Sequence, residues 1–547
     1  MMTRSALTGL VVLSGMASSV LGVEPVARWE LTRDGNDSSG QQRDAEARDV
    51  RFESGAAVFN GRSSQLTVSG DRLPSLEKND FSISAWLHTD EDLDDVPGNI
   101  VSQYDPRERR GFHLSLVTAA GVTASQSMSR QLQFGIDNAR IEPEWTDHGR
   151  LGEAVLIWSL AVHDGQLFAG TCVADADAAG RVYRFDGTAW HDCGAVDRAN
   201  SVSAMAVYEG ELYVASCKYR LRGSALAESE NPHPGGKIFR YVADGQWEPC
   251  GQLPNTEAVN SLVVYKGRLY SDSLYAPAGF FRYEGGAEWT SLETPGKRVE
   301  SMAVYNGDLY ATGYDEGAVY RYDGETWEHL GVLPGATQTY GFAVHAGELY
   351  VSEWPHAHVF RLGDGDTWEF AGRMGEELES MPLMVCNGKM YGGTLPMAEV
   401  YRYDGGEEWT QIGRLDHTPD VKYRRVWSMA IFQGRLFAGV LPSGHVHSIE
   451  IGKQVSYDQP LSAGWHHVVA ARDGRRLKLY VDGTQVAASS EFDPADYVLT
   501  NDQALKIGFG PHDFFNGRMC DVRMYDAALN ADQVRALASS RPSGAAD

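Results

Sequence analysis

One phrase recurs through the middle of the chain: two apolar residues, two further positions, a glycine, one more position, then Leu-Tyr or a close equivalent. Its copies surround Gly165, Gly210, Gly267, Gly307, Gly347, Gly388 and Gly434. Such an internal period constrains the fold more than composition does, because each copy is one unit that cannot bury its apolar face alone and must stack on its neighbours. Each phrase predicts two short strands joined by a tight turn whose glycine takes positive φ. A third strand follows, of the form Val-Tyr-Arg-aromatic-Asp-Gly, clearest at 182–187, 319–324 and 400–405. A fourth opens at Trp145, Trp190, Trp247, Trp289, Trp327, Trp368 or Trp409.

These tryptophans lie 38 to 57 residues apart, the span of a four-stranded propeller blade. The longest gap reflects an insertion at about 218–235 in the second repeat. The first tryptophan phrase precedes any inner strand, whereas the last repeat stops after its third strand. The segment 144–151 is therefore expected to complete the last blade, closing a seven-bladed β-propeller over 139–452 and bringing its two ends together as insertion into another domain requires. The Tyr-x-Tyr-Asp strand followed by a tryptophan strand resembles the kelch type of propeller. Arginine at one place in six third strands (Arg184, Arg240, Arg282, Arg321, Arg361 and Arg402, with Ser448 the exception) is expected to serve architecture, packing near the blade tryptophans.

The flanks read as one sequence once the repeats are removed. Alternating apolar and polar residues at 81–87, 99–104, 111–116 and 131–136 predict half-buried strands, and further strands follow at 464–469, 477–483, 505–508 and 515–525. The phrases FSISAW, WHHV, LYVDG and DVRMY, in that order, closely resemble the laminin-G-like, concanavalin-A-like jelly-roll family. The resemblance implies an antiparallel β-sandwich in two parts, 23–138 and 453–538, with 539–547 a flexible tail. It also implies an oxygen-rich structural calcium site, for which Asp34 and Asp521 are the candidate ligands. The expected fold class is thus all-β, a discontinuous jelly-roll sandwich with an inserted seven-bladed propeller.

Residues 1–22, with Arg4 before an apolar run and small residues after it, read as a secretory signal peptide cleaved near Gly22. No later stretch reaches the roughly 18 apolar residues a membrane helix needs, so a secreted, periplasmic or cell-surface protein without an integral membrane segment is expected. A net charge of −26 argues against a nucleic-acid partner. Six cysteines lack metal-binding spacing, and leave both a Cys172–Cys217 bridge and buried free thiols open.

Nucleophile elbows, metalloprotease helices, phosphate loops and dinucleotide fingerprints are all missing from the sequence. Asp323 to Trp327 and Asp364 to Trp368 resemble fragments of the Asp-box of sialidase propellers, without its leading serine. Variation among the repeats concentrates instead where the innermost strand begins: Trp158, Ser203, Asn260, Glu300, Tyr340, Met381 and Trp427. By symmetry these ring one mouth of the channel. Two residues earlier, Arg298, Gln338, Glu379 and Arg425 widen it, and Asp315, Trp354, His356 and His358 join from the end of the second strand, together with the insertion of the second repeat. The candidate ligand-binding residues are accordingly Trp158, Asn260, Arg298, Glu300, Gln338, Tyr340, Trp354, Glu379, Arg425 and Trp427. Aromatic faces and bidentate groups suit a polar ligand. The expectation is a recognition or adhesion protein that binds a glycan or an extracellular protein without catalysis and without a cofactor beyond calcium. The alternatives are a glycosidase or lyase using the same mouth, with Glu300 and Glu379 as its carboxylates, and a structural envelope or matrix component.

Overall fold

The computed structural model describes residues 23–139 and 144–545. The expected leader, 1–22, lies outside the described residues. The chain is all-β apart from short 3-10 turns and one α-helix among the described residues, Ala531–Ser539. No helix among them is long and apolar enough to cross a membrane.

Two large sheets draw strands from both flanks. In one, Phe81–Thr89 pairs with Gly464–Asp473 from Phe81↔Arg472 to Thr89↔Gly464, and with Asn516–Tyr525 on its other edge. In the other, Gly98–Asp105, Arg110–Ala119 and Met128–Asn138 run in order to Lys453–Pro460. Strand alternation sends Phe81, Ile83, Phe112, Leu114, Phe134, Val468 and Met519 into one core between the sheets.

The central residues form a propeller-like arrangement. Five four-stranded blades stand as separate sheets where seven were expected. The strands of the first two repeats share one eight-stranded sheet, because Gln166–Val173 and Ser201–Tyr208 meet at the single pair Cys172↔Ser201. Cys172 and Cys217 consequently flank Ser201 in adjacent strands, and all six cysteines are free and buried. Thr146–Arg150 pairs with His445–Ile449 as the outer strand of the sheet that ends in Arg425–Phe432.

The repeated tryptophans fasten successive blades. Trp247, Trp289, Trp327, Trp368 and Trp409 each donate an indole N–H to a carbonyl at the outer strand of the preceding blade, those of Cys193, Cys250, Glu293, Leu330 and Ala371, at 2.7–3.2 Å. Trp145 donates likewise to Ile412, which ties the closing strand to the blade before it. The repeated arginines do something else than expected. They form ion pairs with carboxylates, as in Arg184–Asp244 (2.7 Å), Arg321–Glu328 (2.6 Å), Arg361–Glu348 (3.1 Å) and Arg402–Asp404 (2.7 Å). Ion pairs as solvated as most of these contribute little.

The glycine turns face the sandwich. Gly267 and Gly307 donate their backbone N–H to the carboxylates of Asp94 and Asp95, Gly347 to the carbonyl of His512, Gly434 to Ser456 Oγ and Gly165 to the carbonyl of Asp458. The sheet beneath is buried on both faces: His113, Ser115, Gln131 and Gln133, which alternate with its core residues, are at most 2% exposed. His113 reaches Asn387 Oδ1 at 3.1 Å, and Gln131 donates to the Ile431 carbonyl at 3.0 Å.

Between Arg110–Ala119 and Met128–Asn138, the sandwich loop 120–127 enters the central channel. Its backbone exchanges hydrogen bonds with the inner-strand residues Val162, Met205, Leu262 and Phe342 at 2.9–3.3 Å. Thr123 Oγ1 and Ser127 Oγ donate to the carbonyls of Trp427 and Met429 at 2.6 and 2.8 Å. The loop occupies the sandwich end of the channel.

Two stability outcomes are expected. Gly434 has φ +70°, and a Cβ there would lie 2.1 Å from the Gln454 carbonyl oxygen, whereas one on Gly267 (φ +65°) would meet nothing within 4 Å. Gly267→Ala should therefore cost only the left-handed backbone penalty, roughly 1 kcal/mol, and Gly434→Ala clearly more in denaturant unfolding. Burial holds His113 and His345 at this interface down to about 4. Their folded pKa lies below the unfolded value, so the stability they contribute is present above about 6.5 and lost as pH falls toward 4. The melting temperature should drop across that window, and less so in His345→Gln, which can still donate to the Pro511 carbonyl that Nδ1 now contacts at 2.9 Å.

Candidate functional site

All seven inner strands break register at the same place. The shifts fall between Ile157 and Ser159, Val202 and Ala204, Val259 and Leu262, Val299 and Met302, Thr339 and Phe342, Ser380 and Leu383, and Val426 and Ser428. The residues skipped include Trp158, Ser203, Asn260, Glu300, Tyr340, Met381 and Trp427, so each variable position is a β-bulge, a device that re-aims a side chain out of the ladder.

Five of these bulged residues, Trp158, Glu300, Tyr340, Met381 and Trp427, line a cavity of about 660 Å³ at the open mouth, together with Arg298, Gln338, Trp354, Glu379 and Arg425. Nine of the ten expected site residues thus come together. Asn260 does not: it is 2% exposed and spends its amide on the backbone carbonyl of Glu300. Ser203 similarly donates to the Val259 carbonyl at 2.7 Å. At these bulges a short side chain laces neighbouring inner strands.

Other lining residues were not singled out from sequence. Tyr219, Arg220, Arg222 and Glu228 come from the insertion of the second repeat, which was expected at this mouth as a segment but not by individual residue. Leu274 and Tyr314 occupy the repeat position of Trp354, four residues after the phrase tyrosine, and that correspondence was a usable signal.

One wall is aromatic. Trp158 and Trp427 lie 4.9 Å apart by ring centroid, and Tyr219 meets Trp158 edge-on at 4.4 Å. Neither indole N–H has a protein acceptor. The other wall is ionic. Arg425 pairs with Glu379 at 2.8 Å, their side chains 7% and 1% exposed, and its guanidinium lies 4.8 Å from the Trp427 ring. Burial raises the Glu379 carboxyl, with Arg425 opposing. Burial lifts Glu300 well above the usual carboxylate range, the nearby Glu379 adds to the rise, and Glu300 Oε2 has no hydrogen-bond partner. The mouth therefore places two buried carboxyl groups side by side, both raised by burial, of which Glu379 is paired with a guanidinium and Glu300 is not. On the rim Arg298 bonds Asp315 at 2.9 Å and lies over the Tyr314 ring at 4.4 Å.

The expected calcium ligands are engaged separately. Asp521 is 5% exposed and holds the guanidinium groups of Arg28 and Arg523, while Asp34 accepts from the backbone and side chain of its loop neighbour Asn36. A cation at Asp521 would have to displace two arginines. Among the described residues, three potential ligand atoms lie within 4.8 Å of one another in two groups: Asp147, His445 and His447, and Glu353, His356 and His358.

Residues 431–535 match the family model described as the concanavalin A-like lectin/glucanases superfamily, Laminin_G_3. The chain thus carries a concanavalin A-like domain, and the match begins inside the last inner strand, Arg425–Phe432. No curated protein matches the chain. Among solved structures, a catalytically inactive virginiamycin B lyase from Staphylococcus aureus with quinupristin is similar at 12% identity and a TM-score of 0.45, over 57% of this chain and 99% of that one. YCF48 from Cyanidioschyzon merolae is similar at 10% identity and a TM-score of 0.41, over 56% and 98%.

Removing one member of the buried pair should leave the other charge unsatisfied. Arg425→Met is expected to cost about 3–5 kcal/mol of unfolding free energy, and adding Glu379→Gln should restore most of it, as a double-mutant cycle in urea would show.

Proposed function

We propose that the chain is a secreted recognition protein that holds the end of a glycan, without turnover, in the stoppered mouth of a seven-bladed propeller. In this reading the eight-stranded central sheet counts as two blades joined at Cys172 and Ser201. The propeller is an insert of kelch-like type, 139–452, in a discontinuous jelly roll, 23–138 and 453–538. The observation that carries the function is the ring of bulges, which sets Trp158 and Trp427 opposite Glu300, Glu379 and Arg425 in one blind cavity.

Sugar rings offer apolar C–H faces for aromatic walls and vicinal hydroxyls for carboxyl and guanidinium groups. A cavity of about 660 Å³ suits a ligand of one or two sugar residues by the usual size of small-molecule sites. Because the loop 120–127 blocks passage, a polymer would enter by its terminus and not thread through. One observation favours a second reading, a glycoside-cleaving enzyme: two buried carboxyl groups share the mouth, and only Glu379 has a guanidinium partner, an asymmetry of the kind an acid and its partner need.

Calorimetry against an oligosaccharide panel separates the two. Under the recognition reading a panel member binds, Trp427→Phe weakens it by about tenfold, roughly 1.4 kcal/mol, and no product forms. Turnover abolished by Glu300→Gln would replace recognition with catalysis, and a panel that never binds would remove both.

A further inference from the structure

The turn joining Glu348–Trp354 to His358–Leu362 folds around a carboxylate. Glu353 has a side chain with no exposure, and its Oε1 accepts the backbone N–H of His356 at 3.1 Å and of His358 at 2.9 Å. Its Oε2 has no hydrogen-bond partner. Neither do the buried Nδ1 atoms of His356 and His358. Yet the three groups face one another: the Nδ1 atoms lie 3.8 and 3.5 Å from the Glu353 oxygens. The imidazoles stack at 4.9 Å with 16° between their planes. Arg373, the cation nearest by charge, is committed to the carbonyls of His356 and Glu377.

Leaving a buried polar atom unsatisfied costs about 1–3 kcal/mol, so three in one small turn call for an explanation. A single metal ion answers all of them. With bonds of about 2.0–2.1 Å and tetrahedral angles, ligand atoms sit about 3.3 Å apart. His356 Nδ1 lies 3.8 Å from Oε2 and His358 Nδ1 3.5 Å from Oε1, and one ligand atom from each residue lies within 4.8 Å of the others, so side-chain adjustments of at most about 1.5 Å reach that spacing. Two imidazole nitrogens and one carboxylate oxygen form a donor set of intermediate softness, suited to zinc, copper or nickel and not to calcium or magnesium. We infer that Glu353, His356 and His358 form a site for a divalent transition-metal ion, whose remaining position water or a ligand group would fill. The Asp147 group differs: Asp147 already accepts from His445 at 2.9 Å and from the Gly149 N–H at 2.8 Å. The inference is independent of the pocket reading. It has one consequence for the pocket, since the metal would pin the turn that carries Trp354 to the rim.

The full chain, stripped with chelator, is titrated with Zn²⁺ by calorimetry and with Co²⁺ by visible absorption. One equivalent should bind, with tetrahedral Co²⁺ bands. His356→Ala, which removes a partly exposed ring with no side-chain hydrogen bond, should weaken binding by about 100-fold or more, as should Glu353→Gln. Asp147→Asn should bind as wild type. Thermal melts check that each variant is folded. Absence of uptake by the wild type, full uptake by folded His356→Ala, or loss confined to Asp147→Asn would each overturn the site. Full uptake by His356→Ala would leave the Glu353 turn as a proton-mediated ion pair.

Discussion

Seven hydrogen bonds between the loop 120–127 and five inner strands decide the character of the molecule. A propeller has a channel with two mouths, and a sandwich loop seated in one of them converts it into a pocket. The seating also explains polar residues that would otherwise be anomalous. Thr123, Ser125 and Ser127 are at most 3% exposed, and a buried polar group is tolerated when the inner-strand backbone satisfies it, as it does for these three. The sandwich loop thus fastens the two parts of the molecule to each other at one end of the channel.

The division between constant and variable positions follows from this polarity. The repeated glycine phrase lies at the docked end, where its N–H groups need sandwich acceptors and its backbone must stay close. The positions that vary lie at the free end, where no partner constrains them and a bulge turns each one inward. Tryptophans at fixed repeat positions tie the blades together through indole-to-carbonyl bonds, while the fixed arginines form ion pairs on the outside, mostly within a blade. The constant glycine turns and the variable bulges thus occupy opposite ends of the same inner strands.

Much of this was legible before any coordinates. Period, closure by 144–151 and the ring at the channel mouth all rest on symmetry, which a repeat displays openly. What symmetry could not show is what breaks it. Asn260 has the right repeat position, but its amide reaches a neighbouring carbonyl and leaves the cavity. Separation of the first two blades fails at Cys172 and Ser201, where strand edges come within pairing distance. Alternation in 111–116 and 131–136 marks His113 and Gln133 as solvent-facing, because sequence carries no sign that a second domain will cover that face. Asp34 and Asp521 suited a calcium loop by type, yet Asp521 is held by Arg523, two residues on, and by Arg28 from the far end of the chain. The third-strand arginines were expected to pack near the blade tryptophans, but they pair with carboxylates, mostly of their own repeat as in Arg361–Glu348 and Arg402–Asp404, and in Arg184–Asp244 with one of the next.

The central claim is that the stoppered mouth is a binding site. A crystal structure of the full chain soaked with mixed oligosaccharides tests it most directly. The account predicts a terminal sugar in the cavity, one face against Trp427 and Trp158 and its hydroxyls on Glu300 and the Arg425–Glu379 pair, with loop 120–127 still in place beneath it. A sugar bound only to the sandwich, or one threading a channel from which the loop has withdrawn, would contradict it.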